Sequence, residues 1–262
     1  MMNRDSKRTL LATLTKDPFQ PVRLYYAIPS RSFVTDKFQS LKCIVEMPTE
    51  QCWEWVYWAE AEKLQFSAGY DAVPKDRRPI VLGRIRFPHS GGMVLETNAI
   101  ARAIGAAKFF TPRLGTEVVL IRCRIVNRYF SADEGTPTEL MKTLDHDVSV
   151  IDPRQAEAAF VSTYKGVRTM KDAVRAAEAF VRREIASKKD VPMVEDFPLA
   201  PEEETPDFLH LTTALNLRLA RAFEHWQGNK HLTLTDVIVR AVEQAHGGSG
   251  HPPHFLTPMA DR

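Results

Sequence analysis

A mixed α+β fold, an antiparallel sheet with helices over one face, is predicted for this 262-residue chain by three observations. Apolar and polar residues alternate at 79–87, 93–97 and 117–129, as in half-buried strands. Apolar residues fall at helical spacing over 99–110, and breaks rich in Pro and Gly separate these segments. The composition, 44% hydrophobic and 26% charged, excludes a disordered, collagenous or coiled-coil chain. Apolar runs such as 118–121 fall far short of the roughly 20 residues that a bilayer span requires. The opening Met1–Asp5 has no apolar signal core, so the expected location is cytoplasmic, with no membrane partner. Cys43, Cys52 and Cys123 are odd in number and lack metal-type spacing, which predicts buried free thiols.

Taken in order, residues 1–40 read as an N-terminal segment packing on the core, in which 22–38 adds one or two strands. Residues 41–48 read as a strand that stops at Pro48, with Thr49 capping a helix that Glu50 begins and that runs to about Phe66. A charged loop follows. Residues 79–87 and 93–97 then form a hairpin through Pro88–Gly92, whose glycines suit a tight reversal. Ile100, Ala103, Ile104 and Ala107 define a helix from Ala99 to Phe110, which Pro112–Gly115 ends before the strand at 117–129. Residues 41–131 thus read βαββαβ, the ferredoxin-like arrangement, in which two helices cover one face of a four-stranded sheet and leave the other free.

Beyond this core, 132–190 reads as a helical extension. The apolar stripe of 154–188 ends in Arg175, Arg182, Arg183, Lys188 and Lys189, where cations favour the helix dipole. Residues 191–207 hold four prolines and six acids with no Lys or Arg, the chemistry of an extended acidic linker. Residues 208–246 read as C-terminal helices broken near Gly228–Thr235, with Thr233 or Thr235 as a cap, and 247–262 as a flexible tail. The net charge of +2 hides a polarity: +8 over 1–131, −1 over 132–190 and −5 over 191–262. A basic half attracts phosphates or acidic partners, and an acidic tail either repels them or folds back onto the same surface.

Alternation places Ile121, Cys123 and Ile125 on one face, and Arg122, Arg124, Val126 and Arg128 on the other. It turns Val81, Ile85 and Phe87 inward and Arg84 and Arg86 outward, with Lys42 and Glu46 outward on the first strand and Glu96 and Asn98 beside them. The guanidinium fork suits phosphate oxygens, so this face is the expected nucleic-acid contact. The bland alternative is a solvated face whose Arg and Glu pair across strands, worth about 0.2–1 kcal/mol per pair. The inner strands so placed carry no stacking aromatic. Aromatics instead interleave with cations at Arg23, Tyr25, Tyr26, Arg31, Phe33, Lys37 and Phe38, a mixture that stacks bases and holds phosphates, or else buries in the core. On the expected 50–66 helix, Trp53 and Tyr57 lie one turn apart while Trp55 and Trp58 face other sectors. The outer tryptophans therefore need cover, from the chain's own helices or from a partner interface made by Trp53, Trp55 and Trp58.

Catalytic signals are thin. Asp145-His146-Asp147 is the most reactive-looking trio, yet adjacent residues rarely share a face and no nucleophile accompanies it. His89 sits in the hairpin turn near Ser90 and Arg86, where a general base for an RNA hydroxyl and a polar turn are equally good readings. His246, His251 and His254 lie among Gly, Ser and Pro with no preformed geometry for a metal. Neither nucleotide-binding glycine motif is present. No catalytic residue, metal or cofactor is assigned. The sequence reads as a non-catalytic, nucleic-acid-associated subunit of a multiprotein complex, RNA preferred to DNA. Its contacts are Lys42, Arg84, Arg86, Arg122, Arg124, Arg128, Arg23, Tyr25 and Arg31. The first alternative is a protein-interaction adaptor using the arginine face and the tryptophans. The second is a metal-independent endoribonuclease using His89, similar to CRISPR-associated RNA-processing proteins by topology and by no shared motif.

Overall fold

A computed structural model of the chain describes residues 8–152, 190–199 and 208–246, with single helical positions at 172, 175, 179 and 183. The apolar stripe expected over 154–188, the stretch 200–207 and the tail with His251 and His254 lie outside the described residues, save for those single positions. Among the described residues the fold is mixed α+β, an eight-stranded, mostly antiparallel sheet with five α-helices, larger than the expected four-stranded core. The elements are β1 (Val22–Ala27), α1 (Arg31–Phe38), β2 (Ile44–Met47), β3 (Cys52–Val56), β4 (Val81–Arg86), β5 (Met93–Thr97), α2 (Ile100–Leu114), β6 (Val119–Val126), α3 (Pro137–Met141), β7 (Val148–Val150), β8 (Val194–Pro198), α4 (Leu209–Trp226) and α5 (Leu234–His246). The strand order is β2-β3-β4-β5-β1-β6-β8-β7, and only β7 and β8 run parallel.

Three expectations are corrected. The helix expected from Glu50 to Phe66 is instead β3, preceded by a short turn at Pro48–Glu50. Trp53, Trp55 and Tyr57 recur every second residue and point together into the core, leaving Glu54 outside. The N-terminal segment adds one strand, β1, as expected, but that strand lies at the centre of the sheet, between β5 and β6, and not beside a complete core. The acidic linker contains a strand, because β8 is inserted between β6 and β7, with Pro198 ending it. Its acids Glu195 and Asp196 are buried and neutralised by arginines: Arg218 of α4 grips Glu195 at 2.6 and 2.7 Å, and Arg124 holds Asp196 at 2.7 Å.

Helices α1, α2 and α4 lie on one face of the sheet, whereas α3 and the turn after it pack over β6 on the other. Trp55 is fully enclosed against Phe109 and Phe110 of α2, and Trp53 packs on Phe38 of α1. Leu24, Met93, Leu95, Ile85, Cys123 and Ile125 complete this core, with α4 packed beside α2. Gly83, opposite Trp55, runs so close to β5 that a Cβ would sit 2.8 Å from the Glu96 carbonyl, which any larger residue would disrupt. A bulge in β6 opposite Tyr25 and Tyr26 turns Ile121 outward and Leu120 inward, overturning the inward placement of Ile121. A second apolar cluster joins Phe19, Val126 and Phe130 to Leu140 and Leu144 from α3 and the turn after it. Val126, expected beside the arginines, is buried there.

Helix starts follow local chemistry. Ser30 accepts a bond from the Phe33 amide at 3.1 Å to open α1, and Thr136 and Glu139 cap α3 reciprocally. Thr233 does cap α5, paired with Asp236. Among the described residues no helix is long and apolar enough to cross a membrane.

Candidate nucleic-acid interface

On the face opposite the main core, cross-strand register sets side chains in two rows. The first runs Glu54, Arg84, Glu96, Arg23, Arg124, Asp196 across β3, β4, β5, β1, β6 and β8. Its charges pair: Arg84 with Glu54 at 2.9 Å, Arg23 with Glu96 at 2.6 Å, Arg124 with Asp196 at 2.7 Å. Arg23 and Arg124 stand directly opposite each other, a repulsive arrangement between strands. Asp145, from the turn after α3, resolves it by reaching over the sheet to Arg23 at 2.7 Å and Arg124 at 3.6 Å. The hydrogen bond from Arg23 holds the Asp145 carboxyl below its ordinary range against the opposing effect of partial burial. Burial works against the charge of Arg23, but its bonds to Asp145 and the nearby Glu96 keep its proton more firmly held than usual.

The second row runs Arg86, Val94, Tyr25, Arg122. Tyr25 projects from the central strand, and the Arg122 guanidinium lies over its ring at 3.8 Å. Arg86 and Arg122 have side chains 48% and 39% exposed, and each reaches one carboxylate, Glu96 at 3.0 Å and Asp196 at 3.4 Å. Arg23 and Arg124 are only 14% and 15% exposed. Among the described residues the accessible cations on this face are therefore Arg84, Arg86 and Arg122, while Arg23 and Arg124 lie under Asp145.

Of the residues expected to meet nucleic acid, the structure brings together Arg23, Tyr25, Arg84, Arg86, Arg122 and Arg124. Three stand apart. Lys42 is exposed in the turn before β2 and not on a strand, Arg128 follows the end of β6 and pairs with Glu134 at 2.8 Å, and Arg31 opens α1. The expected absence of an aromatic on the inner strands is corrected, because β1 is itself the inner strand and Tyr25 stands on its open face. Of the carboxylates that counter the arginines, Glu96 stands where alternation expects it, and the others are harder to see. Asp145 and Asp196 come from segments far along the chain, whereas Glu54 was signalled by its place between alternating aromatics.

As an interface, Trp53 and Trp55 are corrected: the chain's own α1 and α2 cover them, and only Trp58, 48% exposed and beside Tyr70, faces outward. Within the reactive-looking trio, Asp145 serves the arginine pair. His89 is exposed in the β4–β5 turn and makes no hydrogen bond or ion pair among the described residues. Around it, at the end of the sheet, two grooves of about 390 and 360 Å³ share Arg31 and Gln51. Among the described residues no cluster of three His, Cys, Asp or Glu side chains is placed to hold a metal ion. Compared with models of protein families, with curated proteins and with solved structures, the chain matches none.

Proposed function

We propose that the protein is a non-catalytic, cytoplasmic subunit of a larger assembly that holds single-stranded nucleic acid, RNA in preference to DNA, on the open face of its sheet. The observation that supports this reading most is the row Arg86, Val94, Tyr25, Arg122: an aromatic and an aliphatic side chain on adjacent inner strands, flanked by exposed guanidiniums. A base stacks on Tyr25 and Val94 when Arg122 swings from the ring to a phosphate, and Arg86 meets the next phosphate. The path β1-α1-β4-β5-α2-β6 with spatial order β4-β5-β1-β6 accords with a ferredoxin-like arrangement into which the β2–β3 hairpin is inserted after α1.

The test is fluorescence anisotropy of a labelled oligouridylate, with duplex DNA as the comparison. Log affinity should fall linearly with log salt, and Arg86→Glu or Arg122→Glu should weaken binding by about tenfold and flatten the slope. Tyr25→Ala should weaken binding at every salt concentration alike, since stacking releases no counterions. Failure to bind RNA or DNA at low salt would overturn the reading. The balanced charge ladder would then favour the second reading, an adaptor whose alternating charges meet a complementary protein face.

A further inference from the structure

The arginines on the open face each have a carboxylate, but Arg31 has none: among the described residues it makes no ion pair, and its guanidinium rests over the Phe87 ring at 5.4 Å. Its position compounds this. Arg31 is the first residue of α1, whose first turn holds no acidic residue, so a cation stands at the positive end of the helix dipole. Folding alone would favour Asp or Glu there. The same residue lines both grooves at the end of the sheet, as Gln51 does, and the groove of about 390 Å³ is also lined by Ser30, Phe87, His89 and the consecutive glycines Gly91 and Gly92. Both glycines have positive φ, 91° and 82°, and at Gly92 a Cβ would lie 2.9 Å from the Tyr26 carbonyl, so the turn keeps bare backbone along the groove wall. Among the described residues, Glu46 is the one carboxylate in the lining, and it lies in the groove of about 360 Å³. A concave site that gathers a helix terminus, an uncompensated guanidinium, an imidazole and an amide, walled by Phe87, is built for an anion attached to a flat ring.

We propose that this groove binds a terminal phosphate monoester of the nucleic-acid strand, with the attached nucleotide against Phe87. The inference rests on the function proposed above and deepens it. Arg86 of the stacking row directly precedes Phe87, whose ring turns to the helix side beside Phe38, so a strand leaving the open face past Arg86 would round the end of β4 to enter the groove. Arg31 supplies the fork to two phosphate oxygens, and His89 and Gln51 supply further donors.

Three oligouridylates of about ten nucleotides separate the possibilities, one with a 5′-phosphate, one with a 3′-phosphate and one with neither, each labelled at a plain end or internally. One phosphorylated form should bind about tenfold more tightly than the plain form, and which one it is sets the polarity of the strand. Arg31→Ala, an exposed change to a strong helix former, should erase that preference, while Arg31→Lys should restore part of it. Equal affinity of wild-type protein for all three, or a preference that survives Arg31→Ala, overturns the groove and leaves the open-face reading standing. If no oligonucleotide binds, that reading falls, and titration of uridine monophosphate decides the groove alone. Binding lost in Arg31→Ala supports it, and no binding to wild-type protein overturns it.

Discussion

Glu195 shows how a single residue converts an unfavourable composition into stable structure. Its side chain is 1% exposed, and both carboxylate oxygens are taken by Arg218, with the Asn127 amide on the same group at 3.1 Å. Arg221, one turn along α4 from Arg218, grips Asp190 in the same manner and donates to the Asn127 carbonyl at 2.9 Å. Removing one member of a buried pair leaves the other charged and unsolvated. Glu195→Ala is therefore expected to lower stability by about 3–5 kcal/mol, seen as a reduced urea midpoint. Simultaneous replacement of Glu195 and Arg218 by apolar residues should recover most of that loss, and a double-mutant cycle measures the difference. Exposed pairs such as Arg84 with Glu54 carry about 1 kcal/mol at most, so their loss should leave the midpoint nearly unchanged and isolate effects on binding.

At the scale of elements, β3 carries the clearest energetic signature. Trp55 has no exposed surface and sits between Phe109 and Phe110, with ring centroids 5.5 and 5.2 Å away. Trp55→Ala should cost about 3–5 kcal/mol in chemical denaturation, whereas Trp58→Ala, at an exposed position, should fall within about 0.5 kcal/mol of wild type. The same strand shows what the sequence makes legible. The hairpin β4–β5 and helix α2 were readable because alternation and helical spacing there point to one answer each, and so was β6 from Arg122 to Ile125, beyond its bulge, and the outward Arg84, Arg86, Arg122 and Arg124 followed from it. At 52–57 two periods compete: Trp53 and Tyr57 fit one helical turn, while Trp53, Trp55 and Tyr57 fit a strand, and only the neighbouring strands β2 and β4 decide between them. Strand β8 was illegible for another reason. Its acids and flanking prolines look like linker until Arg122, Arg124 and Arg218 arrive from elsewhere in the chain. The central place of β1 is likewise set by long-range pairing.

At the scale of the molecule, part of the charge polarity of the sequence is folded onto itself among the described residues. Of the two expectations for the acidic C-terminal part, the second holds among the described residues at Asp196, which is seated on Arg122 and Arg124 of the basic half. Such pairing ties stability to pH. Asp145 is held below its ordinary value chiefly by the hydrogen bond from Arg23, and at Asp190 burial pushes upward but is outweighed by the bond and charge of Arg221. A carboxylate whose native value is lowered stabilises the fold above its unfolded value of about 4, and that contribution is lost as pH falls through the native value. The urea midpoint should accordingly hold steady from about pH 7 to 5 and drop below about pH 4, and Asp145→Asn should drop less steeply.

The insertion of β8 between β6 and β7 also bears on how the chain is made. Some 68 residues separate Val126 from Val194, so a ribosome-bound chain completes every other neighbour of β6 long before this last one emerges. During that interval β6 offers an open edge of unpaired amides and carbonyls, flanked by arginines still without Asp196. Such an exposed edge is a hazard for pairing with other chains until synthesis closes the gap.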